Sequence, residues 1–156
     1  NLGDEHQRDP APVEDLFDEQ ELGESAVSLV GLKTPEQTRD VLAKSDMFVW
    51  PAINEAFGMA LLEAQSAGLP VLAGETGGVS GIVSPSVTGW LVPVGDVGAF
   101  ANRLGECVAA DIAMLRRIGQ SGASKAVQHH TVEAAASLLS ATIHKVVDAY
   151  GGQGAV

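Results

Sequence analysis

With one cysteine, Cys107, the chain cannot form an internal disulfide. Cys107 sits in the helix-like run LGECVAA with no His or Asn pattern around it, which makes it a small packing residue rather than a nucleophile. No apolar run approaches the ~20 residues that a bilayer-spanning helix needs, because Gly, Ser, Glu or Pro breaks each one first. A charged-then-apolar secretion signal is missing from the N-terminal residues, and together with the lone cysteine this sets a cytoplasmic location as the expectation. Positive charge is scarce too: nine Lys and Arg face 20 Asp and Glu, for a formal net charge of −11. Without a basic stripe, neither nucleic acid nor an anionic membrane surface is an expected partner. No internal repeat occurs, and no His, Cys and carboxylate set has metal-ligand spacing, so no metal is expected. His129 and His130 lie in a helix-flanking turn, His144 lies on the final helix, and His6 belongs to the acidic N-terminal stretch.

What the chain does have is 156 residues, 46% of them apolar, enough for one sizeable core. Its acidity is concentrated: nine acidic residues fall in the first 24 positions beside Arg8 alone, and the remainder carries only −3. Residues 1–25 therefore read as a solvated acidic lead-in, residues 26–150 as one domain, and residues 151–156 as a disordered tail. Within the domain, AVSLVG (residues 26–31) suits a strand. Thr34, Pro35 and Gln37 then spell a capped helix start, with Val41 and Leu42 facing inward. DMFVWP (residues 46–51) is a second strand, residues 57–67 a helix, and LPVLAG (residues 69–74) a third strand. Such alternation predicts parallel strands with crossover helices, an α/β sheet of Rossmann type. Further on, the spacing predicts a strand at residues 90–92, a helix capped by Asp96, another opened by Asp111, and a long helix from Thr131 to Tyr150.

The stretch NEAFGMALLEAQSAGLPV poses the chemical question, since Glu55 and Glu63 flank an apolar helical run and neither has a basic neighbour in sequence. In an open parallel sheet, ligands bind beyond the carboxyl ends of the strands, where this segment falls. A helix N-terminus offers unpaired N–H groups and about half a positive charge, which suits a diphosphate. The amides of Phe57, Gly58 and Met59 are the candidates, and Gly58 lets a ligand approach the backbone. Carboxylates repel phosphate but accept hydrogen bonds from sugar hydroxyls. Glu55 ahead of the helix and Glu63 within it would therefore hold sugars on either side of the phosphates, as in a nucleotide-sugar site. Each glutamate also has a plainer reading, Glu55 as a dipole-favoured residue before a helix and Glu63 as a solvated helix position.

The run VWPAINEAFGMALLEAQSAGLPVLAGETGGVSGIV resembles the donor-binding, C-terminal domain of GT-B-fold retaining glycosyltransferases, the glycosyl transferases group 1 family with its E-x7-E signature. Glu55 and Glu63 match the two glutamates, Gly77 and Gly78 the paired glycines, and TGWLVPVGD a downstream turn. The resemblance implies a nucleotide-diphosphate sugar as donor and no separate cofactor. It makes Glu55 the catalytic, sugar-contacting residue. The amides around Phe57, Gly58 and Met59 would hold the diphosphate or sugar, Glu63 the ribose, and Leu62 would lie near the base or ribose unless it is core. Gly77 and Gly78 would line the sugar pocket.

Three departures accompany the match. Ala56 stands where a glycine is common, and Gly81 where the family usually has a glutamate. The family's upstream Arg and Lys, with the first two strands of the domain, have no counterpart, because GDEHQR resembles the segment just after the second strand. The expectation is a sheet with a gap between residues 27–30 and 47–50, in a part of a longer enzyme whose acceptor-binding domain lies in the same polypeptide or a partner. Alone, this part would be inactive. Other readings are a noncatalytic, regulatory nucleotide-binding module, or a related GT-B epimerase or phosphorylase.

Overall fold

The computed structural model describes residue 28 and residues 30–151. The acidic lead-in of residues 1–25 lies outside them, as do residues 152–156 of the expected tail. The strand expected at residues 26–31 falls partly outside as well, and the described Ser28, Val30 and Gly31 are in no strand. The chain divides into two units, residues 1–37 and residues 38–156. Elements follow in the order α1 (Pro35–Ala43), β1 (Phe48–Trp50), α2 (Met59–Ser66), β2 (Val71–Glu75), α3 (Val79–Ile82), β3 (Gly89–Pro93), α4 (Val97–Val108), α5 (Ile112–His129) and α6 (Val132–Gly151).

The strands form one parallel sheet in the order β1-β2-β3, with Phe48 opposite Val71 and Val71 opposite Gly89. This is the α/β architecture that strand and helix alternation predicts: two parallel neighbours need a crossover, and α2 and α3 supply them. Successive strand residues point to opposite faces. Val71 and Ala73 join Leu61, Leu62, Ala64 and Ile82 in one core, whereas Leu72 joins Trp90, Val92, Leu115 and Ile118 in the other. Cys107 belongs to the second core, and burial pushes its thiol pKa up, which fits a packing residue.

Helix ends follow local chemistry. Thr34 and Gln37 exchange capping bonds, Thr34 N–H to Gln37 Oε1 at 2.9 Å and Gln37 N–H to Thr34 Oγ1 at 3.3 Å. Asp96 Oδ1 accepts from Ala99 N–H at 2.8 Å, and Asp111 Oδ1 accepts from Ala113 N–H at 3.0 Å, as capping residues do. Of the two residues expected to face inward on α1, Leu42 is buried but Val41 is exposed. Adjacent helical residues are about 100° apart, so a helix that buries one narrow stripe takes only one of them.

Two surfaces remain uncovered. Among the described residues β1 pairs with β2 alone, and its residues are half-buried or exposed while the first four of β2 are buried. Phe48 and Trp50 stack along β1 with ring centroids 6.0 Å apart, and Trp50 stays 37% exposed. The other surface is α6, which buries none of its described side chains and exposes Leu139, Ile143 and Val146 on one face.

Candidate functional site

The loops that follow β1 and β2 meet at the carboxyl ends of the strands. After Trp50 the chain runs through Pro51 to Gly58 before α2 begins, two residues later than the sequence suggests. Phe57 is outside the helix, and Gly58 at φ +94° is its left-handed N-cap. That conformation strains any residue with a Cβ.

Glu55 explains the turn. Its Oε1 accepts a hydrogen bond from the Gly58 N–H at 2.9 Å, closing a ring three residues long. The Gly58 amide, a sequence-based candidate for phosphate, is therefore already engaged. Those of Phe57, Met59 and Ala60 have no partner among the described residues, as expected of a helix start. The second carboxylate oxygen of Glu55 has none either.

The loop after β2 packs against this turn backbone to backbone. Gly78 N–H donates to the Glu55 carbonyl at 3.2 Å. A Cβ on Gly77, which has φ +48°, would lie 2.0 Å from that same carbonyl oxygen, and one on Gly78 would lie 2.6 Å from the carbonyl oxygen of Ala56. Only glycines allow this approach. Glu55, Phe57, Gly58, Gly77 and Gly78 thus come together. Phe57 and Met59 are 51% and 59% exposed beside them.

Glu63 is exposed on α2 at i+4 from Met59, one turn further along the same outward stripe. Leu62 is 8% exposed within the first core, the packing position that was one of its two readings. Of the histidines, His129 ends α5 and His130 caps it, while His144 bonds the Ser140 carbonyl on α6. Among the described residues no group of His, Cys, Asp and Glu could hold a metal ion.

Some polar residues that hold the site's supports were not singled out from sequence. Gln65, fully buried on α2, donates from Nε2 to Thr88 Oγ1 at 3.0 Å, and Thr88 Oγ1 accepts from Ser84 N–H at 2.9 Å. Lys125 of α5 donates to the carbonyls of Gly81 and Ile82 and to Ser84 Oγ, so an ammonium terminates α3. Burial pushes its pKa down. The available signal was polarity out of register: Gln65 stands at i+4 from Leu61 on the buried stripe. The short helix α3 was not among the elements expected from sequence.

Residues 6–125 match the family described as Glycosyl transferases group 1. The chain belongs to that family. A D-inositol 3-phosphate glycosyltransferase of Nocardia farcinica is 34% identical over 139 residues, which make up 86% of this chain and 31% of that protein. The amylovoran biosynthesis glycosyltransferase AmsK of Erwinia amylovora is 38% identical over 84 residues, 50% of this chain and 21% of that one. Among solved structures, sucrose-phosphate synthase from Thermosynechococcus elongatus superposes with a TM-score of 0.74 at 31% identity, over 88% of this chain and 34% of its own. HepE of Anabaena, solved in complex with UDP-glucose, gives 0.57 at 26% identity over 67% of this chain and 29% of its own. The fold is thus that of GT-B glycosyltransferases, and the chain spans about a third or less of these relatives. Among the described residues no helix is long and apolar enough to cross a membrane.

Proposed function

We propose that residues 26–150 are the nucleotide-sugar-binding part of a retaining glycosyltransferase, which moves a sugar from a nucleotide-diphosphate donor to an acceptor hydroxyl. The observation that carries this is the junction of two loops at the strand ends, where Glu55 is held by Gly58 and Gly78 beside the open amides of Phe57, Met59 and Ala60. In this reading the amides and the α2 dipole hold the departing diphosphate, as donors aimed at developing negative charge do. Glu55 presents its unpaired oxygen to a donor-sugar hydroxyl, Gly77 and Gly78 line the sugar pocket, and Glu63 accepts from the ribose. No separate cofactor enters the reading.

The acceptor side of the cleft would come from the rest of a longer polypeptide or from a partner, which leaves this part inactive by itself. Its working place is the cytoplasm. A noncatalytic nucleotide-binding role is the alternative, and Gly81 favours it, because position 81 carries no carboxylate where the family usually has a glutamate. Turnover with a nucleotide-sugar and an acceptor by the native-length protein separates the two.

The donor reading is tested with Glu63→Ala and titration calorimetry against UDP, GDP and ADP. Losing a hydrogen bond to a charged group costs about 1.5–3 kcal/mol, so the nucleotide that binds the parent protein should bind the variant roughly ten- to a hundredfold more weakly. Equal affinity in a variant of unchanged stability removes Glu63 from the site.

A further inference from the structure

A second polar surface lies at the opposite end of the sheet. Residues 84–88 lead into the amino end of β3, whereas the donor loops lie at the carboxyl ends; five strand residues separate those ends by about 17 Å. Facing residues 84–88 is one side of α5, where positions 117, 120, 121, 124, 125 and 128 recur at helical spacing. Between them is an open cavity of about 530 Å³, within the ~300–1,000 Å³ usual for small-molecule sites.

Its lining is one-sided in charge. Arg117 and Lys125 border it, and among the described residues no carboxylate does. Arg117 is exposed and makes no ion pair among the described residues. All three ammonium protons of Lys125 go to Gly81, Ile82 and Ser84, at 3.1, 2.8 and 2.9 Å, so its charge is fixed at the cavity wall. The amides of Gln120 and Gln128 add uncharged donors. Two cations with no carboxylate beside them among the described residues leave a local field for an anion. The guanidinium fork suits a phosphate group, and the amides suit the hydroxyls of the molecule that carries it.

We propose that this cavity binds the phosphate group of a small polyhydroxylated phosphate ester, at a site separate from the donor loops and independent of their proposed role. Site-resolved amide shifts in the native-length, nitrogen-15-labelled protein test it, with a hexose monophosphate and inorganic phosphate as probes at constant ionic strength. The expected result is saturable shifts across residues 84–88 and 117–129, with the hexose monophosphate binding several-fold tighter than inorganic phosphate. Arg117→Glu should weaken binding at least tenfold with an unchanged melting curve, Arg117→Gln should fall between, and Glu63→Ala should leave the shifts intact. No saturable shift, equal affinity for the two probes, or binding unchanged in Arg117→Glu would each overturn the proposal.

Discussion

Adding one methyl group at Gly77 should damage the protein, and adding it at Gly81, four residues away, should not. The Cβ of Gly77→Ala would lie 2.0 Å from the Glu55 carbonyl oxygen and 3.0 Å from its carbon. Both are main-chain atoms, so no rotamer change relieves the contact and the two loops must part. Parting them stretches the Gly78 to Glu55 hydrogen bond, now 3.2 Å. Alanine at φ +48° adds about 1–2 kcal/mol of backbone strain, and overpacking about 1–3 kcal/mol, for a loss of roughly 2–5 kcal/mol. At Gly81 the new methyl meets nothing within 4 Å and sits inside α3, where replacing glycine gains about 0.5–1 kcal/mol. Urea unfolding followed by far-ultraviolet circular dichroism measures both, with the slope of free energy against urea compared to confirm a common unfolded state. The same variants carried into nucleotide titration should show Gly77→Ala weakened and Gly81→Ala near the parent. If Gly77→Ala unfolds within about 0.5 kcal/mol of the parent protein, a figure typical of neutral surface changes, the close approach of the two loops is not what holds them.

His130 predicts a pH dependence. Its Nε2 is buried without a partner among the described residues, and burial first, then the charges of Lys125 and His129, lower its pKa from the ordinary 6.5. The unfolded chain therefore binds the proton more readily than the folded one, so this group's contribution is complete above about pH 6.5 and declines as the pH falls below it. The urea midpoint should drop between about pH 7.5 and 5.5 less steeply in His130→Asn than in the parent; equal slopes would refute the assignment. On α6, the exposed face of Leu139, Ile143 and Val146 should make the isolated 156-residue chain self-associate. Leu139→Glu with Ile143→Glu should shift sedimentation toward the monomer at unchanged helicity, and a parent chain already monomeric at high concentration would count against it.

What was legible in the sequence was the part governed by local chemistry. Asp96, Asp111 and the pair Thr34 and Gln37 announced helix starts that side-chain hydrogen bonds then make. The strands at β2 and β3 were readable because turn residues bracket β-branched and apolar runs. The start of α2 was not, since NEAFGM can enter a helix at Phe57 as well as at Met59. The Glu55 side chain decides it by bonding Gly58, a choice that depends on the Gly78 contact 20 or more residues away. Four residues of α3 lie below the length at which periodicity carries a signal, and Lys125, which holds its end, comes from 43 residues further along the chain. Val41 failed for a simpler reason, because its apolar neighbour Leu42 already fills the buried stripe.

The same contact clarifies what a glutamate can do at position 55. A carboxylate fully in solvent samples many orientations, and ordering a glutamate side chain costs up to about 1.5–2 kcal/mol. Here one oxygen is tied to Gly58 and the main-chain carbonyl to Gly78, so the other oxygen is held in direction before any ligand arrives. The tie also has a cost in donors: the Gly58 amide is withdrawn from anion binding, and the helix start is left with the amides of Phe57, Met59 and Ala60. The carboxylate is thereby bonded to the amide that lies in sequence between the open amides of Phe57 and Met59, so carboxylate and open amides belong to one turn. A hydroxylated group beside a phosphate meets both requirements at once, whereas a bare anion would meet the unpaired carboxylate oxygen as a like charge. On the proposed donor reading, the geometry of this turn would discriminate between phosphate-bearing ligands by what is attached to the phosphate.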